Sequence, residues 1–121
     1  MKVNRAIRLV QQNLTPDLLQ GRWKQQTHPL EGHCYIAAEA LWHLLGKTEW
    51  RSVCASYIDE GGKATHWWLV HKITGEIADP TKEQYLPEQP PYHLGKNCAF
   101  LTQQPSKRAQ KVLNRIWNNK N

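Results

Sequence analysis

The order in which hydrophobic periodicities follow one another constrains this chain more than any single motif. Apolar residues recur at helical spacing up to Leu45, at strand spacing between Trp50 and Asp79, and at helical spacing again after Ser106. Val3, Ile7, Val10 and Leu14 predict an amphipathic helix over residues 2–14. Thr15-Pro16-Asp17 is a fresh helix start, a hydroxyl cap followed by a proline whose missing N–H costs nothing there, and this short helix stops at Gly21. Residues 22–32 are irregular, with Pro29 and Gly32 as punctuation. The next helix runs from His33 to Leu45 on a stripe of Ile36, Ala37, Ala40, Leu41, Leu44 and Leu45, and Gly46 suits its stop.

Strands are predicted over 50–58, 65–71 and 75–79. Gly61-Gly62 breaks the first pair, and Lys72–Gly75 turns tightly between the second and third. Residues 80–97 hold four prolines and read as a long surface loop. Residues 98–102 are a candidate last strand. Ala109, Val112, Leu113, Ile116 and Trp117 form the apolar stripe of a basic C-terminal helix. Helices, then an antiparallel sheet, then a helix make an α+β layout, not a parallel α/β one. At 121 residues the chain is expected to be a single domain over 1–121, with enough length for a real core.

Charge excludes some partners. The net charge of +6 comes from the two ends: residues 1–30 carry +4, residues 31–88 carry −4, and residues 105–121 hold five bases and no acid. Any electrostatic footprint therefore lies on the terminal segments, and nucleic acid is not the expected partner. The basic last helix is read first as a solvated face around an apolar stripe, and second as a docking surface for an acidic protein. No apolar run reaches the ~18 residues of a membrane span. The start MKVNRAIRLVQQN has no apolar signal-peptide region, so a cytoplasmic address is expected. No phosphate-binding glycine loop, zinc-type pair spacing or deaminase signature is present, so neither a cofactor nor a metal is expected.

Three cysteines in a chain without a secretion signal argue against a disulfide framework. Cys54 and Cys98 lie in strand-like patterns, where a thiol is usually an inert core residue. Cys34 opens a helix directly after Gly32-His33, where backbone N–H groups, the helix dipole and a neighbouring imidazolium favour a thiolate. Taken alone, Cys34 is equally well explained as a buried residue opening a core helix. His66 opens one strand and Asp79 ends the next, so a hairpin brings Asp79 beside residues 66–67. An Asp there can fix the imidazole tautomer and leave the other ring nitrogen for a thiol. Alternation groups His66 with Trp68 and Val70, and Trp67 with Leu69 and His71. If Trp68 and Val70 face the Cys34 helix, His66 faces it too.

GHCYIAAEALWHLL, RSVCASY and THWWLVHKITGEIADPT together resemble the core of the transglutaminase-like branch of the papain-like cysteine enzymes. The matching positions are Gly32, Cys34, His66, Trp68, Asp79, Pro80 and Thr81, within residues 32–81. The resemblance implies a papain-like or transglutaminase-like core with Cys34 as nucleophile, His66 as general base and acid, and Asp79 orienting His66. The Gly-Ile-Pro-Ala-Arg stretch common after the family's Cys helix is missing; Glu49-Trp50-Arg51-Ser52 stands there, so substrate class does not carry over. The remainder of the chain, notably QY after DPT and the segment FLTQQPSKRAQ, is similar to small phage-encoded proteins with the same Cys-His-Asp pattern. An oxyanion hole needs donors besides the Cys34 N–H. Gln25, Gln26 and His28 are the candidates. His28 holds the position six residues before the cysteine, where papain-like enzymes place a glutamine, and Gln26 is preferred. Tyr35, Trp67 and Trp68 are candidate cleft walls, with a core role as the plainer reading of each.

The function expected is thiol-dependent acyl transfer: a cysteine hydrolase (peptidase, isopeptidase or amidase) acting on a protein or peptide. A phage protein modifying a host target in the host cytoplasm is the setting the resemblance implies. The alternative is a non-catalytic binding or inhibitor module that docks an acidic partner through its basic terminal helices.

Overall fold

The computed structural model of the chain describes residues 1–19, 30 and 32–119. Its elements are α1 (Val3–Gln11), α2 (Cys34–Leu45), β1 (Trp50–Asp59), β2 (Gly62–His71), β3 (Ile77–Ala78), β4 (Lys96–Asn97) and α3 (Lys107–Asn118), with 3₁₀ turns at Pro16–Leu18, Lys82–Tyr85 and Tyr92–Leu94. The sheet order is β3-β2-β1-β4 and every pairing is antiparallel, which makes the protein α+β. No helix among the described residues is long and apolar enough to cross a membrane.

α2 is the centre. Ile36, Ala37, Ala38, Glu39, Ala40 and Leu41 are buried without a break, as expected of a helix enclosed on all sides. The sheet packs on one side of it, and α1 and α3 pack on the others. Leu44 and Leu45 are only half-buried. α1 contributes Ala6 and Val10 to the core and stops at Gln11, three residues before the predicted end. There Asn13 turns back, donating from Nδ2 to Leu9 O at 2.8 Å. α3 buries Ala109, Val112, Leu113 and Ile116, but Trp117 of the predicted stripe is 62% exposed.

Strands directly opposite share a face. Trp50, Ser52 and Cys54 lie with His71, Leu69 and Trp67 on one face; Val53 and Ala55 lie with Trp68 and His66 on the other. α2 packs on the Leu69 and Trp67 face, so His66 and Trp68 point away from it. Alternation decides which residues share a face; it carries no information on which face a helix takes. The Trp68 face is closed by the loop after Asp79, through Tyr92. A Cβ at Gly95 would lie 2.7 Å from the Trp68 ring and 2.9 Å from Val53, so only glycine lets the loop come this close.

The hairpin between β1 and β2 is tighter than predicted, with Asp59 paired to Gly62. β3 is shorter than predicted. The segment 98–102 is not a strand. β4 precedes it at Lys96–Asn97, and Cys98 N–H then donates to Ser52 O at 3.1 Å. The chain leaves the sheet there so that Phe100 can enter the core against Tyr35, Trp42 and Trp67.

Cys54 and Cys98 form a disulfide, with Cα atoms 5.7 Å apart. This corrects the expectation that both are inert core thiols. The odd cysteine count resolves into one cross-link and one free thiol, Cys34. Such bonds persist in oxidising compartments, so this one counts against the reducing cytoplasm expected from sequence. The loop it closes spans 44 residues, for which the chain-entropy argument gives about 4 kcal/mol. Reduction should lower the unfolding free energy from urea titration by an amount approaching that figure, with the fold retained in native buffer; an unchanged free energy would show that the bond adds nothing.

Glu39 is fully buried, and its carboxylate accepts from Ser106 N–H at 2.7 Å and from Ser106 Oγ at 2.8 Å. Ser106 Oγ in turn accepts from Ala109 N–H at 3.2 Å, capping α3. A buried anion at the start of α3 thus ties that helix to α2. Glu39→Ala should cost about 2–3 kcal/mol by urea unfolding, and Glu39→Gln distinctly less, because an acceptor remains.

Candidate functional site

The site begins with a buried pair. His66 Nε2 donates to Asp79 Oδ2 at 2.6 Å, and both side chains are fully shielded from solvent. β3 pairs Ala78 with Leu69, so Asp79 comes level with Trp68, and its side chain reaches His66 diagonally along the same face. Two further donors hold the carboxylate: Tyr92 Oη to Oδ2 at 2.8 Å and Thr81 N–H to Oδ1 at 3.1 Å. The His66 ring stacks on Trp68 with centroids 5.4 Å apart and meets Tyr85 edge-on at 4.8 Å. A carboxylate accepts only, so in the neutral ring the proton sits on Nε2 and Nδ1 carries a lone pair. Nδ1 is buried and has no hydrogen-bond partner among the described residues.

Cys34 is the first residue of α2, and no side chain caps that helix start. β3 pairs with β2 only at Leu69 and Val70, so the outer edge of β2 near Thr65 carries no strand among the described residues. α2 brings Cys34 to this edge, where Sγ donates to Thr65 O at 3.1 Å. His66 is the next residue. Cys34 thus meets the backbone of the residue before His66 in the middle of β2, while the His66 side chain lies on the face away from α2, and Sγ bonds the Thr65 carbonyl and not His66 Nδ1.

The charge state differs from expectation. Burial pushes the Cys34 thiol up to about 11, the charge of Asp79 adds to the rise, and backbone hydrogen bonds at Trp67, Tyr35 and Cys34 offset only part of it. Magnitudes explain the outcome. A helix N-terminus contributes about 0.3–1 kcal/mol, and one pKa unit is about 1.4 kcal/mol, so the dipole cannot outweigh desolvation here. His33 does not help. It is 1% exposed, and burial, with Arg108 adding to it, pushes it down to about 4. It is a neutral ring and not the expected imidazolium.

A cavity of about 330 Å³ opens on Cys34 and Thr65. Tyr35 and Trp67 line it, and both also pack against the core. Trp68 does not line it; it lies beneath His66 on the far face. Gln25, Gln26 and His28 lie outside the described residues. Sequence reasoning missed Tyr92, which orients Asp79, and Tyr57 and Tyr85, whose hydroxyls lie 2.8 Å apart on the cavity wall. Tyr85 and Tyr92 sit in the irregular loop after Asp79, which has no periodicity to read; only its prolines hint at a fixed course.

With the thiol held neutral, alkylation of Cys34 by iodoacetamide should rise tenfold per pH unit from pH 7 and level only near 11. A plateau below pH 8, followed by peptide mapping of the adduct, would show a thiolate and contradict this resting state.

Compared with known proteins, the chain matches no family model, no curated protein and no solved structure.

Proposed function

We propose that the chain is a thiol-dependent acyl-transfer enzyme on a papain-like or transglutaminase-like core. Its reaction is that of a cysteine hydrolase acting on an amide, isopeptide or ester bond of a protein or peptide. The observation that supports this most is the buried His66–Asp79 pair, whose remaining ring nitrogen has no partner among the described residues, one residue along β2 from the carbonyl that the free thiol bonds. An imidazole with one nitrogen on a carboxylate and the other open can take a proton at the open nitrogen.

In the proposed reaction Cys34 turns from Thr65 O toward His66 Nδ1. The thiol proton passes to Nδ1 as sulfur bonds to the substrate carbonyl carbon. Because the resting thiol is neutral, proton transfer accompanies attack and no standing ion pair precedes it. Asp79 stabilises the imidazolium that forms and keeps its orientation. Nδ1 then returns the proton to the leaving amine or alcohol, and a thioester remains on Cys34. Water repeats the cycle from the other side: Nδ1 takes its proton, the carboxylic acid departs, and the thiol is restored. An amine in place of water gives transamidation. The Cys34 N–H at the start of α2 is one donor for the oxyanion.

The neutral thiol bonded to Thr65 O favours a second reading, in which the triad is idle and the scaffold binds. Lys107 and Lys111 on exposed α3 would then dock an acidic protein, consistent with the phage-like resemblance of the chain. The two readings separate on acylation. Incubation with 4-nitrophenyl acetate should leave an acetyl group on Cys34 in the peptide map. His66→Ala should slow its formation by about 10²–10⁴-fold, and Asp79→Asn should also slow it. Acetylation at equal rate in wild type and His66→Ala would leave only the binding reading.

A further inference from the structure

The wall of the Cys34 cavity has a charge pattern that the proposed chemistry does not use. Lys63 from β2 and Arg108 from α3 both line it, and no Asp or Glu does among the described residues. Composition does not explain this, because residues 31–88, which supply most of the wall, carry a net charge of −4. Among the described residues, neither cation is paired with a carboxylate. Arg108 donates from Nη1 to Leu18 O at 2.8 Å, which fixes the guanidinium without neutralising it. Arg115, on the same helix, is instead paired with Asp17 at 2.9 Å. Lys63 has no ion pair among the described residues. The start of α2 lacks a side-chain cap and adds partial positive charge at the same opening.

We infer that this cavity receives an anionic arm of the substrate, a carboxylate on the acyl donor such as an acidic residue of a peptide, set apart from the carbonyl that Cys34 attacks. The cavity volume of about 330 Å³ suits a group of that size. Two bases from separate elements converge on it, and a carboxylate can bond the free N–H groups of a guanidinium held by its other side.

This inference rests on Cys34 being the attacking group, and its test is independent of turnover. Three iodoacetamides bearing a short arm that ends in a carboxylate, a methyl or an ammonium are compared on the intact protein. Rates at Cys34 are divided by those with N-acetylcysteine amide, which cancels the reagents' intrinsic reactivity, and the thiolate fraction of Cys34 is common to all three. The carboxylate reagent should react fastest and the ammonium reagent slowest, with about tenfold between them, and about 1 M salt should compress the range. Lys63→Gln should flatten the order and Lys63→Glu should reverse it. Lys63 is an exposed strand position, so these variants fold; Arg108→Gln tests the second cation. The same order as the free thiol, or an order unmoved by both Lys63 variants, overturns the inference. If the order holds but no acetyl group forms on Cys34, the acyl-transfer reading fails and the anion pocket stands. If acetylation occurs without any order, only the pocket inference fails.

Discussion

The unbroken burial of α2 from Ile36 to Leu41 is the constraint around which the molecule is arranged. A helix with apolar residues on nearly every side needs partners on every side, and the sheet, α1 and α3 supply them. One polar residue lies in that run. Glu39 is tolerated at zero exposure because Ser106 gives it two hydrogen bonds at the start of α3. Burial of α2 also decides where its first residue goes. With the helix body locked on the Leu69 face, Cys34 is delivered to the open edge of β2.

The same packing sets the chemistry of the thiol. A helix start favours a thiolate, but the enclosed position and the nearby Asp79 favour the neutral form more strongly. The His66–Asp79 pair is held from both ends: Tyr92 and Thr81 hold the carboxylate, and Trp68 and Tyr85 hold the ring. Gly95 belongs to this arrangement, because the loop must touch the Trp68 ring that supports the imidazole. The loop after Asp79 has two functions in consequence. It closes the second face of the sheet, and it supplies the aromatic hydroxyl that orients the acid.

The disulfide alters how the cysteines are understood. Position in a strand-like pattern was a reasonable sign of a core thiol for Cys54, yet its sulfur joins Cys98 across a gap of 44 residues. Spacing alone does not pair cysteines that far apart. The bond pins Cys98 to β1 at the point beyond which the chain leaves the sheet and Phe100 enters the core.

By itself the sequence determined the element order, the antiparallel α+β class, the position of Cys34 at a helix start, and the closeness of His66 to Asp79. All of these follow from local periodicity or from a short hairpin, where neighbours in sequence are neighbours in space. Only the tertiary structure decided that α2 takes the Leu69 face, that Glu39 caps α3 from 67 residues away, that Tyr92 reaches Asp79, and that Lys63 and Arg108 meet at one cavity. It alone decided the protonation of Cys34 as well. The reason is the same in each case. These features depend on which surfaces are removed from water and which charges that removal brings together, and local patterns carry no record of either.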